Sequence, residues 1–381
     1  MIPYGRQDIT DDDADAVLRV LRSDYLTQGA EGPRFEAALT AVTGAQHAVA
    51  VNSATSALHV ACAALGLGPG DLMWTSPITF VASANVGHLC GAEVDFVDIE
   101  PDSFNMSTAA LADKLAAARR AGRLPKVIMP VHMCGQSCDM AAIGALARDH
   151  GVRVVEDASH AIGASFGARA VGSCEHSDIA VFSFHPVKIV TTAEGGAALT
   201  NDAGLAAAMQ RLRSHGVTRD PALMSHPPDG GWYYQQIGLG LNYRMTELQA
   251  ALGTSQLDRL ATYVDRRNAL ADRYDRLLGN LPLDRPGRSA GARSAFHLYV
   301  VRVAPGRRRA VFDHMRDAGI GVNVHYIPVH TQPYWQDHGF RPGDFPVAEQ
   351  YYARAISIPL YPAMTEAQQD RVVAALTEAL G

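Results

Sequence analysis

The sequence lacks the features that mark membrane-bound, secreted or nucleic-acid-binding proteins. No apolar run among its 381 residues is long enough to span a bilayer, and no apolar core of a signal peptide follows Met1. The formal net charge is −6, so the chain offers no basic field to nucleic acid or to an anionic membrane. We therefore expect a cytoplasmic protein that binds neither nucleic acid nor a membrane.

Cysteine is scarce as well. The chain has five cysteines, and an odd number without a signal segment favours reduced thiols over disulfides. Cys134 and Cys138 form the only close pair, and His132 is the only near neighbour that could join them around a metal ion. Buried or half-buried thiols are therefore a better interpretation than a metal site, and we expect no bound metal.

A third absence concerns nicotinamide cofactors. No glycine-rich dinucleotide fingerprint follows an early strand, which argues against a Rossmann-type dehydrogenase. What the sequence does contain is 48% hydrophobic and 19% charged residues, a balance typical of a globular protein with a large core. The length of the chain favours two domains over one.

Short β-rich runs alternate with helical stretches in the first half of the chain. The strands expected there span residues 47–51, 94–97, 127–131, 152–155 and 179–184, and the helices span 53–65, 111–121 and 141–150. This alternation predicts an α/β domain with a mixed, mostly parallel sheet flanked by helices. Ligands of such sheets bind beyond the carboxyl ends of the strands, so functional side chains are expected at those ends.

The pattern changes after residue 242. The elements expected there are a long helical region over 245–276, a strand over 298–303, and helices over 309–318 and 365–380. We interpret this part as a smaller α+β C-terminal domain, which divides the chain into domains 1–245 and 246–381. The segment 220–231 contains three prolines and two glycines and is expected to be a loop.

Three strand ends carry residues that are suited to chemistry. Ser53–Thr55 lie where a strand turns into a helix and could hold an anion on free amide groups, although a plain N-cap is the better explanation of the hydroxyls taken alone. Asp157 directly follows an apolar strand, where it either faces a ligand or is an ordinary surface acid. Lys188 lies in an apolar stretch, and lysine is rarely buried without a function; the alternative is a surface lysine.

Together the three strand ends match the requirements of pyridoxal 5′-phosphate (PLP). This cofactor needs a lysine that condenses with its aldehyde, an acid beside its pyridine nitrogen, and a cup for its phosphate. Lys188, Asp157 and the turn at Ser53–Thr55 supply one group for each requirement. A PLP enzyme is therefore the function that these residues favour.

The chain also resembles a known family, the sugar aminotransferases of the DegT/StrS type, which are PLP transferases of fold type I. Within that family it is most similar to the transaminases of pseudaminic acid biosynthesis. The similarity extends over nearly the whole chain. It is carried by the stretches 25–29, 52–58, 156–161, 182–188, 212–216, 241–246 and 324–330.

The resemblance implies a role for individual residues. Lys188 holds the cofactor and moves protons, Asp157 pairs with the pyridine nitrogen, and Phe80 covers the ring. His160 lies near the phenolic oxygen, and Asn242 reaches the phosphate site of the neighbouring subunit, which implies an obligatory homodimer. The other implied contacts are Ala54, Thr55 and Ser183 to the phosphate, and Tyr4, Leu26, Thr27, Gln28, His325, Tyr326, Ile327 and Pro328 to the nucleotide sugar.

The implied reaction is the transamination of a UDP-linked 4-keto-6-deoxy-N-acetylhexosamine with L-glutamate as amino donor, in pseudaminic acid biosynthesis. An alternative is a transaminase for another nucleotide-linked 3- or 4-keto sugar of a lipopolysaccharide or antibiotic pathway. A PLP-binding regulatory protein is disfavoured, because no helix-turn-helix segment is evident and the net charge is negative. Dehydratases of the family carry histidine at the position of Lys188, so the lysine favours transamination.

Three residues at two sites depart from the pattern of close relatives. Ala193 stands where they often have glycine, and Met133–Cys134 stand where they often have an aromatic residue followed by alanine. Neither site touches the proposed chemistry, but either could change the fit of the substrate.

Overall fold

Thirteen α-helices and fifteen strands make up the chain in the computed structural model, which describes residues 1–381. The helices are α1 Asp11–Leu21, α2 Glu31–Thr43, α3 Ala54–Ala64, α4 Ala82–Leu89, α5 Thr108–Arg120, α6 Met140–His150, α7 Ala203–Leu212, α8 Glu247–Leu257, α9 Leu260–Leu277, α10 Arg308–Asp317, α11 Pro333–Asp337, α12 Pro346–Arg354 and α13 Glu366–Leu380. None of them combines the length and the apolar character that crossing a membrane requires.

The strands form one large sheet and three small ones. They are β1 His47–Val51, β2 Leu72–Thr75, β3 Glu93–Phe96, β4 Val127–Met129, β5 Arg153–Asp157, β6 Ser165–Phe166, β7 Arg169–Ala170, β8 Ile179–Ser183, β9 Gly196–Thr200, β10 Val217–Thr218, β11 Gln235–Gln236, β12 Leu283–Asp284, β13 Ala292–Arg293, β14 Tyr299–Val303 and β15 Ala355–Ile358. The large sheet has seven strands in the order β1-β9-β8-β5-β4-β2-β3.

The large sheet is mixed but mostly parallel. The four strand pairs from β8 to β3 are parallel, whereas β9 runs antiparallel to both of its neighbours, β8 and β1. Helices α4, α5 and α6 form the crossovers between successive parallel strands, as this topology requires. The α/β fold of type I PLP transferases that the sequence predicts is therefore confirmed.

Both faces of the large sheet are covered, because successive residues of a strand point to opposite sides. In β8, Ala180 and Phe182 belong to an apolar core that also contains residues of α2, α8 and the start of α9. Ile179 and Val181 of the same strand belong to a second core with residues of α3, α4 and α7. The strand is therefore apolar throughout, as is typical of a sheet buried between helix layers.

The C-terminal part is built around a smaller antiparallel sheet with the order β12-β14-β15. Its apolar core combines side chains of β14 and β15 with others from α10 and α13, including Val301, Val311 and Leu376. Helix α9 contributes to two cores, because Tyr263 packs in the first core of the large sheet and Tyr274 packs in the core of the small one.

The long helical region expected over 245–276 is interrupted, so the single helix is replaced by α8 and α9. Arg259 leaves helical geometry at the break, and its guanidinium bonds to Asp13 of α1 and to the hydroxyl of Tyr263. The hydrophobic pattern of the sequence also gives no prediction for β2, β9, β15, α2, α4 and α7. These elements are short or rich in small residues, so their hydrophobic periodicity is weak.

Candidate active site

A cavity of about 570 Å³ lies at the carboxyl ends of β5 and β8. The segment 323–326, between α10 and α11, closes its other side. Of the residues singled out in the sequence, the cavity is lined by Tyr4, Ala54, Thr55, Phe80, Asp157, His160, Ser183, Lys188, His325 and Tyr326. The fold therefore brings the three strand ends to one place, together with the C-terminal segment.

The other residues implied by the family resemblance lie outside this cavity. They are Leu26, Thr27, Gln28, Asn242, Ile327 and Pro328. All of them except Pro328 are exposed to solvent. Within a single chain they therefore do not line the space between Asp157 and Lys188.

The cavity is also lined by residues that the sequence did not predict as site residues, among them Thr79, Ser83, His297 and Asn323. Thr79 and Ser83 stand four positions apart around Phe80, a spacing that places both hydroxyls on one side of a helical turn. His297 directly precedes the apolar run that forms β14, so it is a polar residue at a strand end. These signals are too weak to select the residues without the tertiary structure.

Lys188 is distinguished from the other lysines of the chain, of which there are only two. Lys114 is paired with Asp95 at 2.6 Å, and Lys126 is paired with Asp71 at 2.8 Å. Lys188 instead lines the cavity, in a turn after β8 where its backbone N–H donates to the carbonyl of His185. Burial, opposed by the charge of Asp157, lowers the pKa of its amine to about 8.

Asp157 ends β5 with a side chain that is almost fully buried. Its Oδ2 accepts a hydrogen bond of 2.6 Å from the hydroxyl of Ser83, and its Oδ1 accepts one of 3.1 Å from the backbone N–H of Ser159. The preceding residue, Glu156, belongs to a different site, where it accepts a hydrogen bond of 2.7 Å from His132. Only Asp157 of these two acids therefore faces the cavity.

The N-terminus of α3 forms a cup of free amide groups. Ser53 caps the helix, and its hydroxyl accepts from the N–H of Ser56 at 3.1 Å. The N–H groups of Ala54 and Thr55, in the first helical turn, have no partner within the helix. A Cβ at Gly196 would lie 2.6 Å from the nitrogen of Ala54, so only glycine lets β9 approach this closely. Small residues thus leave room for an anion beside these amides.

Histidine side chains form another wall of the cavity. His160 bonds through Nε2 to the hydroxyl of Tyr326 at 3.1 Å, and its ring centroid lies 4.5 Å from that of His297. Burial, followed by the charge of Lys188, lowers the pKa of His160 well below its ordinary value. Nδ1 of His160 is buried and has no partner in the protein, so it is available to a ligand.

His325 is held as a neutral ring by two neighbours. Its Nδ1 lies 2.7 Å from the hydroxyl of Ser357, and its Nε2 lies 3.3 Å from the amide nitrogen of Asn323. An amide NH₂ group can only donate, so Nε2 accepts and the ring proton is on Nδ1. Burial, reinforced by Lys188, lowers the pKa of His325 to about 3.

The donor set of the cavity fits PLP. The amide cup suits a phosphate, and Asp157 suits a protonated pyridine nitrogen. The unpartnered Nδ1 of His160 suits a phenolic oxygen, and the exposed ring of Phe80 can cover the face of the cofactor. A neutral amine at Lys188 is the group that condenses with an aldehyde. Fold and cavity together therefore define a PLP-dependent enzyme of fold type I.

The chain belongs to the DegT/DnrJ/EryC1/StrS aminotransferase family, whose sequence profile matches residues 7–377. It is 39% identical over 384 aligned residues to the spore coat polysaccharide biosynthesis protein SpsC of Bacillus subtilis, with 99% of this chain and 96% of SpsC covered. The match spans both parts of the structure, so the family assignment applies to the whole chain.

Solved structures agree with this assignment. Helicobacter pylori PseC, an aminotransferase involved in the biosynthesis of pseudoaminic acid, superposes with a TM-score of 0.91 and 30% identity, covering 100% of this chain and 99% of PseC. Streptococcus pneumoniae Spr1654 in its PMP form gives a TM-score of 0.91 at 28% identity, covering 100% of this chain and 99% of that one. Its PLP form is also similar, with a TM-score of 0.89. The protein is therefore a PLP-dependent sugar aminotransferase.

Proposed function

We propose that the chain transfers the amino group of L-glutamate to a UDP-linked 4-keto-6-deoxy-N-acetylhexosamine in pseudaminic acid biosynthesis. The specific substrate proposed is UDP-2-acetamido-2,6-dideoxy-β-L-arabino-hex-4-ulose. The observation that carries this proposal is the likeness to PseC over 100% of the chain. A cavity of about 570 Å³ with few charged side chains suits a ligand whose charge is concentrated in a distant diphosphate.

Lys188 is the residue proposed to hold PLP and to carry the proton during transfer. Its pKa of about 8 means that a substantial fraction of Nζ is neutral near physiological pH. Nζ can therefore take a proton from the donor carbon and deliver one to the sugar carbon from the same position. When bound, PLP supplies an electron sink for the bonds that change at the transferred nitrogen.

Asp157 is proposed to keep the pyridine nitrogen protonated, because a buried carboxylate stabilises a neighbouring cation. Ala54, Thr55 and Ser183 are proposed to hold the phosphate, Phe80 to cover the ring, and His160 to donate from Nδ1 to the phenolic oxygen. All six residues line the same cavity. Their arrangement would orient the cofactor at its phosphate, ring nitrogen and phenolic oxygen, so that it cannot rotate during transfer.

Tyr4 and the segment His325–Pro328 are proposed to bind the nucleotide sugar, together with Leu26, Thr27 and Gln28. Tyr4, His325 and Tyr326 line the cavity, and the ring centroids of Tyr4 and His325 lie 5.3 Å apart. The remaining residues lie outside it, which suits contacts with the nucleotide at the mouth or with a ligand of a second subunit. Binding energy collected there would position the keto group at the reacting end.

We propose that the enzyme is a homodimer in which Asn242 completes the phosphate site of the partner. Asn242 is exposed and lies outside its own cavity. The preceding segment exposes large apolar side chains, including Trp232 at 72% and Leu239 at 84% of their surface. Exposure of this extent supports a protein–protein contact.

Hybrid dimers test the shared site. Lys188→Ala and Asn242→Asp should each abolish most of the activity. When the two variants are unfolded, mixed in equal amounts and refolded together, about a quarter of the activity of the parent protein should return. Half of the dimers would then be hybrids, and each hybrid would contain one site with both residues intact. If Asn242 serves its own subunit, the mixture stays inactive.

We further propose two domains, 1–245 and 246–381, and a cytoplasmic location. The separate antiparallel sheet and its own core support the division, although α8 and the start of α9 pack on the core of the large sheet. Limited proteolysis of the holoenzyme tests it. Stable fragments that begin close to residue 246 support the proposed boundary, and cleavage confined to other regions contradicts it.

A keto-sugar panel with ¹⁵N-labelled glutamate tests the reaction itself. Mass spectrometry should find the label in the 4-amino product of the UDP-linked 4-keto-N-acetylhexosamine, and not with dTDP-linked or 3-keto sugars. Transfer to one of those sugars instead would establish the alternative, a transaminase of another lipopolysaccharide or antibiotic pathway. The proposed cofactor link is tested by borohydride reduction and peptide mapping, in which Lys114 and Lys126 act as internal controls.

A further inference from the structure

A chain of two buried hydroxyl groups leads to the carboxylate of Asp157. The Oγ1 of Thr79 lies 2.7 Å from the Oγ of Ser83, and that oxygen lies 2.6 Å from Oδ2 of Asp157. Ser83 is fully buried, and Thr79 and Asp157 are 2% and 5% exposed. Solvent therefore has very little access to these hydrogen bonds.

The direction of both hydrogen bonds follows from simple valence. An ionised carboxylate can only accept, so the single proton of the Ser83 hydroxyl is donated to Asp157. The hydroxyl of Ser83 then has no proton left for Thr79, and Thr79 is the donor between the two. A hydrogen bond to a charged acceptor at 2.6 Å is of the short, strong kind.

A purely local explanation of Ser83 is weaker. Serine near a helix start often bonds to its own backbone, and the carbonyl of Phe80 lies 3.3 Å from Oγ of Ser83. That distance is 0.7 Å longer than the distance to Asp157, which comes from a strand 74 positions away in sequence. The hydroxyl of Ser83 therefore donates its hydrogen bond to Asp157 and not to the backbone of its own helix.

We propose that Ser83, oriented by Thr79, is a positioning residue for the ring-nitrogen acid. The backbone N–H of Ser159 holds Oδ1 while Ser83 holds Oδ2, so the plane of the Asp157 carboxylate is set from both ends. Each oxygen keeps a further lone pair for the pyridine N–H. The turn that carries Ser83 also carries Phe80, so one short segment places both the acid and the ring-covering side chain. This inference rests on the proposed role of Asp157.

Substitutions that remove one hydroxyl at a time test the proposal. Ser83→Ala should raise the Kd for PLP about tenfold and slow the half-reaction with L-glutamate about tenfold, while the KM for glutamate changes less than twofold. Thr79→Val keeps the shape but removes the hydroxyl and should shift both values in the same direction by about threefold. Thr79→Ser keeps the hydroxyl and should stay within twofold of the parent protein. Ser137→Ala is the matched control, because that buried hydroxyl donates only to the carbonyl of Cys138.

The outcomes separate the inference from the function on which it rests. Asp157→Asn is measured alongside; if it leaves both PLP affinity and rate unchanged, the proposed role of Asp157 fails. If it weakens both while Ser83→Ala behaves like Ser137→Ala, only the role of Ser83 is overturned. Melting temperatures of the apo proteins complete the comparison. A loss of stability in Ser83→Ala with normal affinity and rate would show that the serine is merely structural.

Discussion

At the scale of single residues, the surroundings of Lys188 explain its chemistry. The two other lysines each have a carboxylate partner, whereas Lys188 lies among apolar and imidazole groups. Burial therefore lowers the pKa of its amine from 10.5 to about 8, and the more distant charge of Asp157 only partly opposes the shift. The neutral amine that PLP requires is thus present at a pH at which an ordinary lysine is almost wholly charged.

We predict that PLP uptake by the apo protein accelerates as the pH rises through about 8, because only the neutral amine of Lys188 condenses with the aldehyde. The apo protein is mixed with PLP in a stopped-flow instrument, and the rate at which visible absorbance appears is measured between pH 6.5 and 9.5. Asp157→Asn should shift the midpoint to lower pH, since the lost carboxylate favours the ammonium form. A rate that still rises steeply at pH 9.5, without a midpoint in the measured range, would contradict the lowered pKa.

Ala193 has a backbone conformation that is unfavourable for a residue other than glycine. Its φ angle is +66°, in the left-handed region that favours glycine. We predict that Ala193→Gly raises the free energy of unfolding by up to about 1 kcal/mol, because relief of strain exceeds the entropy that glycine adds to the unfolded chain. Urea unfolding measures it. Ala117→Gly, in the regular helix α5, is the control and should lower stability by about 1 kcal/mol.

At the scale of elements, the antiparallel strand β9 contributes to the active site, although its hydrophobic pattern is too weak to predict it. It lies between β1 and β8 and brings the backbone of Gly196 against the first amide of α3. The backbone of β9 thereby packs against the N-terminus of α3, while the N–H groups of its first turn face the cavity. The phosphate cup depends on this pairing of two elements, and neither provides it alone.

We predict that Gly196→Ala weakens PLP binding about tenfold and destabilises the protein by about 1–3 kcal/mol. The added Cβ would lie 2.6 Å from backbone atoms of Ser53 and Ala54, which cannot rotate away. Fluorescence titration with PLP and urea unfolding measure the two effects. Gly231→Ala is the control, since a Cβ there meets no atom within 4 Å. If Gly196→Ala and Gly231→Ala have the same PLP affinity and stability, the close approach of Gly196 to the N-terminus of α3 is not important for cofactor binding.

The elements differ in how far the sequence predicts them. Strands such as β1 and β8 and helices such as α6 were predicted to within one or two residues, because they combine long apolar runs with clear flanks. Strand β9 and helix α7 consist largely of alanine and glycine, whose small side chains leave no periodicity to detect. Tertiary contact with neighbours of stronger pattern decides the structure of these elements.

At the scale of the whole molecule, several uncharged imidazoles are enclosed where the C-terminal segment meets the large sheet. Burial lowers the pKa of His160 and His297 well below the ordinary value, and that of His325 to about 3. In the unfolded chain each histidine takes up a proton near pH 6.5. Stability from these residues is therefore fully present above about pH 6.5 and is lost as the pH falls towards 3.

We predict that urea unfolding of the protein becomes easier as the pH is lowered from 7.5 to 5.0, and that each such histidine contributes up to about 1.4 kcal/mol per pH unit. His325→Gln should show a shallower decline, since glutamine takes up no proton. The two unfolding series are compared at matched ionic strength. Parallel slopes for the parent protein and the variant would contradict the neutral state of His325.

The class of the protein follows from residue types and their order along the chain. Apolar strands followed by Asp157 and Lys188 and a hydroxyl-rich helix start indicate PLP chemistry, because the residue types that hold this cofactor are few and are set by its reactive groups. Periodicity over 3.6 and 2 residues determined most of the large sheet and its helices, since those patterns arise from local geometry. These conclusions require no knowledge of which strands are neighbours.

Which side chains contact one another depends on the three-dimensional fold and does not follow from the sequence pattern. Glu156 and Asp157 are adjacent acidic residues that the sequence pattern does not distinguish. In the fold, the side chain of Glu156 bonds to His132, whereas that of Asp157 faces the cavity. Ser83 lies 74 positions from the acid it contacts, and its hydroxyl is distinguished only because the fold brings the start of α4 beside the end of β5. The physical reason is that hydrogen-bond partners and burial depend on distances between segments remote in sequence, and a pattern along one segment contains no information about those distances.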